Sequence, residues 1–246
     1  QALLRAVIDC WSSLWTARAI GYRARQEIDP ARVFLLGHSL GAMLAPEIGE
    51  RDGEVAGVAV LAAPLRPFLS VLRSQLEYIA SLEKDPASPA GAQLDSLIAQ
   101  VERARAGALG EDELLMGVRR GYWRELEELD PLGVARRFTV PIFILQGGRD
   151  YQSTPEDLRL WEAGLGQRDG TLLKLYPSLS HLFTPGEGTA TPEEYATQVK
   201  HVDPEVIQDL AAQALVGALS IDGRLPVTDA GQASSADDSI VLGSIL

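Results

Sequence analysis

The sequence predicts an α/β fold, about four parallel strands flanked by helices with one helical insertion, and three observations carry that expectation. Short apolar runs at 33–36, 55–61, 141–145 and 172–176 are continuous rather than alternating, as in strands covered on both faces. Helical stretches separate the runs, and helix alternating with apolar strand builds right-handed βαβ units and a parallel sheet. Between the second and third runs the rhythm breaks, because residues 63–138 carry helical periodicity and no strand pattern. An insertion of that size between two sheet strands must lie outside the sheet.

Taken in order, residues from about 2 to 27 place Leu4, Val7, Ile8, Trp11, Leu14 and Trp15 at helical spacing, a long helix whose tryptophans anchor a core. Ile28-Asp29-Pro30-Ala31 is a turn, since the residue before a proline is pushed out of the helical region. The first strand ends at Gly37. A helix follows from Ser39 to about Arg51, with Pro46 as an irregularity and Asp52-Gly53 as its stop. Within the insertion the helical stretches are 65–82, 94–106 and 111 to about 129, with a loop at 83–91. The insertion follows directly on a strand's C-terminal end, over the rim where open α/β sheets bind ligands, and so reads as a helical cap. Tyr122 and Trp123 either line a substrate pocket there or pack within the cap.

After the third strand a helix begins near Pro155 and carries Leu158, Leu160, Trp161 and Leu165. A final helix, roughly 204–219, packs Val206, Ile207, Leu210, Ala214 and Leu215 on one side. From about Asp222 the chain is rich in Gly, Ser, Ala and Asp with isolated aliphatics, which fits a disordered tail or foreign sequence. The expected division is residues 1–62 for the half of the core that carries the serine turn, 63–138 for the insertion, 139–220 for the half that carries the acid and base, and 221–246 for the tail.

With 246 residues, 46% hydrophobic and 23% charged, the chain can bury one sizeable core plus a small cap. Twenty-two Lys and Arg against 34 Asp and Glu give a net charge of −12, which argues against nucleic acid and anionic membrane as partners. No run reaches the roughly 18 apolar residues of a membrane span. Cys10 is the sole cysteine, so an internal disulfide is excluded, and on the apolar side of its helix it reads as a buried thiol. Compartment and oligomeric state are left open. The three histidines lack ligand spacing and there is no cysteine pair, so no metal and no other cofactor is expected.

The chemistry concentrates around Gly37-His38-Ser39-Leu40-Gly41, where the first strand meets its helix. A serine hydroxyl becomes a nucleophile only when a base takes its proton, and it must stand clear of its own backbone to reach a carbonyl. Glycines on both sides allow a strained, tightly folded turn with Ser39 at its tip and the Leu40 N–H aimed where an oxyanion would form. Of the histidines, His38 belongs to the turn and reads as a structural or pocket-wall residue, His201 precedes a helix start, and His181 lies in a loop just past a buried strand. Asp150 occupies the corresponding loop after the third strand, behind Gly147-Gly148. Ser39, Asp150 and His181 thus fall at the C-terminal ends of parallel strands, in the chain order Ser, Asp, His that characterises one group of serine hydrolases.

Gly37-His38-Ser39-Leu40-Gly41, Leu145-Gln146-Gly147-Gly148-Arg149-Asp150-Tyr151 and Leu179-Ser180-His181-Leu182-Phe183 resemble the nucleophile, acid and base motifs of the α/β-hydrolases, nearest to bacterial dienelactone-hydrolase-like and prolyl-oligopeptidase-like esterases. The resemblance runs from about Ala6 to Leu219. It implies the C-terminal part of that fold, with Ser39 as nucleophile, His181 as general base and acid, Asp150 as orienting carboxylate, Leu40 as one oxyanion donor, and His38 and Tyr151 beside the substrate. It also implies a small-molecule ester or acyl substrate. The family's sheet has about eight strands with the serine after the fifth, whereas one helix precedes the serine strand here. The chain is therefore expected to be N-terminally truncated, to lack the loop that supplies a second oxyanion donor, to be weak or inactive by itself, and to leave the 33–36 strand as an unpaired edge. A peptidase, thioesterase or acyltransferase would use the same three residues, and a non-catalytic binding module of the same fold is the alternative from another class.

Overall fold

A computed structural model describes residues 24–26, 28–110, 112–197, 201–221 and 241–245. The expected N-terminal helix, with Cys10, Trp11 and Trp15, lies outside the described residues. The four expected strands are present as β1 (Val33–His38), β2 (Gly57–Leu61), β5 (Ile142–Gly147) and β6 (Thr171–Tyr176). They pair in parallel in the order β6-β5-β2-β1, with Leu36 opposite Ala59, Ala59 opposite Phe143 and Phe143 opposite Leu172.

The continuous apolar runs follow from a core on each face. Val33, Leu35, Val58, Val60, Ile142 and Ile144 point to one side, while Phe34, Ala59, Leu61, Phe143 and Leu145 point to the other. Side chains alternate along a strand, so two covered faces require both sets to be apolar. The first face is covered by α1 (Leu40–Asp52) and by α6 (Pro155–Leu165), whose Trp161 is almost fully buried. The second is covered by α8 (Pro204–Ile221) through Val206 and Leu210. Ile207, expected on the buried side of that helix, is 56% exposed, a correction that follows from its position one residue round from Val206. Ala214 and Leu215 are not among the described side chains.

The expected free sheet edge is also corrected. A fifth strand, β7 (Val241–Ile245), pairs in parallel with β1, Leu35 opposite Gly243. The segment expected to be a disordered tail therefore contains a strand. Its apolar Ile240-Val241-Leu242 run has high β propensity, and the N–H and C=O groups along β1 give it a template.

The insertion contains α2 (Phe68–Leu82), α3 (Pro89–Arg105), a small hairpin of β3 (Leu114–Leu115) and β4 (Val118–Arg119), α4 (Arg120–Glu127) and α5 (Pro131–Arg136). Two expectations change here. Pro89 to Gly91 belongs to α3 rather than to a loop, because Ser88 caps it by accepting the Gly91 N–H at 3.0 Å and Pro89 takes the first helical position. The expected helix from 111 to about 129 is broken by the hairpin, since Met116 (φ 50°) and Gly117 (φ 78°) form a turn in the left-handed region that joins strands and not a helix. Two short helices, α5 and α7 (Pro192–Thr197), were not among the expected helical stretches. Among the described residues no helix is long and apolar enough to cross a membrane.

Candidate active site

β1 ends at His38 and α1 begins at Leu40, so Ser39 alone makes the turn between strand and helix. Its backbone has φ 55° and ψ −120°, an unfavourable conformation for a residue with a Cβ. Neighbouring backbone holds it there: the Ser39 N–H donates to the Leu61 carbonyl at 2.9 Å and the Ser39 carbonyl accepts from Ala42 N at 3.0 Å. Gly37 is required by the same turn, because a Cβ there would be driven into the Gly41 carbonyl. Ser39 remains half-buried. Leu40 is the first residue of α1, whose opening N–H groups have no acceptor within a helix.

The loop that carries Asp150, the expected acid (the acid loop), leaves β5 through Gly147 and Gly148. A Cβ on Gly147 would collide with the Ser180 carbonyl, and one on Gly148 with the Pro177 backbone, so the two glycines let this loop lie directly on the loop that follows β6. The Gly148 N–H donates to Tyr176 O at 2.8 Å and the Arg149 N–H to Leu179 O at 2.9 Å. Asp150, 3% exposed, accepts four hydrogen bonds. Its Oδ1 takes the N–H groups of Gln152 at 2.7 Å and Ser153 at 3.0 Å, and its Oδ2 takes Gln146 Nε2 at 3.1 Å and His181 Nδ1 at 2.7 Å. A carboxylate only accepts, so His181 carries its proton on Nδ1 and keeps a lone pair on Nε2.

His181 sits in a tight excursion closed by Ser180 N to Thr184 O at 3.0 Å and the Ser180–Thr184 hydroxyl pair at 2.8 Å. His38 approaches from β1: its Nε2 donates to the His181 carbonyl at 2.8 Å, and the two rings lie 4.7 Å apart between centroids. Burial, and next the neighbouring His181, lower the proton affinity of His38 below the ordinary histidine value. The structure thus joins Asp150, His181 and His38 directly, with Ser39 bonded to His38 through the chain.

Of the other expected pocket residues, Tyr151 lies between Tyr78 of α2 (4.8 Å) and Tyr195 of α7 (6.2 Å). Burial, with smaller contributions from Tyr195 and Asp150, pushes the Tyr151 hydroxyl up to about 12. Trp123 donates its indole N–H to Val118 O at 3.3 Å and stacks on Phe68, while Tyr122 meets it edge-on. These contacts lie within the insertion, where Trp123 lines a cavity of about 600 Å³ with Arg105, Arg120 and Arg124.

Several supporting residues carry no sequence signal of their own. Gln146 bridges Asp150 and the Ser153 carbonyl, the latter at 2.6 Å. Arg149, 5% exposed, donates to Gly188 O at 2.6 Å and to the Glu194 carboxylate at 2.8 Å, binding α7 to the acid loop. The Asp-loop motif contained both residues, but their partners come from segments that only folding brings near.

A family model described as the alpha/beta hydrolase family matches residues 4–221. Over 187 residues the chain is 37% identical to Esterase EstD of Thermotoga maritima, covering 76% of this chain and 43% of that one. The chain therefore spans less than half the length of this relative. Among solved structures, Est1E from Butyrivibrio proteoclasticus has a TM-score of 0.50 at 13% identity, covering 85% of this chain and 71% of its own. The Paleococcus ferrophilus monoacylglycerol lipase has a TM-score of 0.45 at 17% identity, covering 84% and 76%. At such identities a structural likeness speaks to the fold alone.

Proposed function

Since the chain belongs to the α/β-hydrolase family, we propose that it is a serine hydrolase that cleaves carboxylic esters through an acyl-enzyme. The observation that carries this reading is the buried Asp150–His181 pair, with Nδ1 to Oδ2 at 2.7 Å, on the loop that His38 ties to the Ser39 turn. Resemblance to a protein named as an esterase supports the choice of substrate class.

The mechanism follows from the proton positions. His181 Nε2 takes the Ser39 hydroxyl proton as Oγ attacks the ester carbonyl, and Asp150 stabilises the imidazolium that results. Negative charge gathers on the carbonyl oxygen, where the Leu40 N–H at the head of α1 serves as one donor. The imidazolium then protonates the leaving alcohol, the C–O bond breaks, and Ser39 is left as an ester. Water repeats the sequence, giving up its proton to His181 and releasing the acid. Tyr151 and His38 border the substrate space in this reading, and the insertion sets which acyl and alcohol groups fit.

A fluorophosphonate probe tests it, because the probe reacts only with an activated serine. Labelling of the folded protein, lost in Ser39→Ala and reduced at least about 10³-fold in rate in Asp150→Asn, is the expected result. A folded full-length protein that takes no label sinks the reading and favours a binding module, and a Ser39→Ala protein that still takes label removes Ser39 as the nucleophile.

A further inference from the structure

His38 neighbours Ser39 in the chain, yet its side chain serves the opposite loop. A carbonyl oxygen can only accept, so the 2.8 Å contact with His181 O makes His38 Nε2 the protonated nitrogen. The Nδ1 nitrogen is then the acceptor of a neutral ring. Phe183 packs edge-on to His38 at 6.3 Å, and Phe183 itself has φ 55°, so the excursion that carries His181 holds a strained residue two positions beyond it. His181 is consequently fixed at two points. Asp150 holds its ring, and His38 holds its main chain.

We propose that His38 is a positioning residue for the general base: by gripping the His181 carbonyl, it registers the imidazole against Ser39, its own neighbour in the chain. This rests on the Ser39–His181–Asp150 reading above. The physical reason is economy of joints. The loop after β6 and the turn after β1 belong to strands that are not adjacent, β5 and β2 lying between them. Without the grip, the Ser39–His181 separation would depend on the accumulated tolerance of three strand pairings. With it, a single hydrogen bond and a single peptide unit span the distance. Misplacement of reacting groups by about 1 Å costs on the order of 10² in rate, so the grip belongs to the transition state and not to substrate affinity. The groups facing His38 electrostatically are His181, which opposes a second positive charge, and Asp150, which favours one. Burial, and next His181, hold the His38 proton affinity below the ordinary histidine value, against the hydrogen bond to the His181 carbonyl and the Asp150 charge, which raise it.

Three variants and one spectrum test the proposal. His38→Leu removes the donor, His38→Asn has an amide that stops short of the Nε2 position, and His38→Gln places an N–H near it. Expected are a fall of about 10- to 100-fold in kcat for nitrophenyl acetate in the first two, with KM changed less than about threefold, and recovery of most of that loss in His38→Gln. His38→Asn keeps the comparison usable if His38→Leu does not fold. Independently of turnover, nitrogen NMR of the three ring pairs should report His38 as the Nε2–H tautomer and His181 as Nδ1–H. Equal loss in Gln and Leu variants, no loss in the folded Leu or Asn variant, or a His38 Nδ1–H tautomer overturns the proposal. A wild-type protein with the expected tautomers but no fluorophosphonate labelling instead overturns the triad reading, and the positioning role with it.

Discussion

Ser39, Ala62, Met116 and Phe183 are the non-glycine residues with positive φ among the described residues; Ser39 and Ala62 directly follow β1 and β2, and Phe183 lies in the longer segment after β6. Each such conformation costs on the order of 1–2 kcal/mol, so strain gathers on one rim of the sheet, where the candidate site is. His38 adds a second cost with a definite pH dependence. Its folded-state proton affinity is lowered, chiefly by burial, so between that lowered value and the unfolded value near 6.5 the unfolded chain binds more protons. Stability from this residue is therefore full above about pH 6.5 and is lost as pH falls through that window. Thermal unfolding of wild type and His38→Gln should show the wild type losing ground to the variant on acidification from about pH 7.5 to 5.5; a constant difference would contradict the burial argument. At this scale, the placement of Ser39, Asp150 and His181 in segments that follow β1, β5 and β6 was legible, because an unbroken apolar run precedes each of them. Gln146, Arg149 and Glu194 were not, because a buried amide or ion pair leaves no local pattern until its partner arrives.

At the scale of elements, α6 ties the start of the insertion to the rim of the sheet. Asp157, fully buried in its first turn, accepts the N–H groups of Leu65 at 2.9 Å, Arg66 at 3.0 Å and Thr154 at 3.1 Å, and pairs with Arg66 Nη2 at 2.9 Å. Trp161, one turn on, donates to Ala63 O at 3.2 Å. The start of the insertion is thereby pinned to the end of the acid loop. Asp157→Asn keeps the shape but removes the charge facing a guanidinium that is itself only 16% exposed, and should cost about 2–3 kcal/mol. A shift in denaturation midpoint worth less than about 1 kcal/mol would mean that the packing, not the carboxylate, holds the junction. Strands were legible at this scale since two covered faces force unbroken apolar runs. The β3–β4 hairpin was not, because Leu114, Leu115, Val118, Tyr122 and Leu126 also satisfy a helical spacing, and only the left-handed turn at Met116-Gly117 decides against it. β7 was missed for another reason: a five-residue strand in a Gly- and Ser-rich surround reads as composition, and its pairing with β1 is a property of β1.

For the molecule as a whole, a parallel sheet places every strand's C-terminal end on one side, so the segments after β1, β5 and β6 share one edge. Net charge acts at the same scale. A chain of −12 creates a field that attracts cations over about a Debye length. If it hydrolyses esters, kcat/KM for a cationic choline ester should fall several-fold between about 20 and 300 mM salt, while a neutral ester of the same acid is unaffected. Parallel salt responses for both would show that the field does not reach the site. The contact between the acid and base loops has a different consequence, one for evolvability. Because Gly147 and Gly148 meet Ser180 and Pro177 through main chain, that seam does not depend on which side chains the base loop displays. Leu182, beside His181 and 44% exposed, stands outside it. The loop can therefore exchange its outward residues while Asp150 and His181 keep their 2.7 Å contact: the seam separates what may vary from what must be preserved.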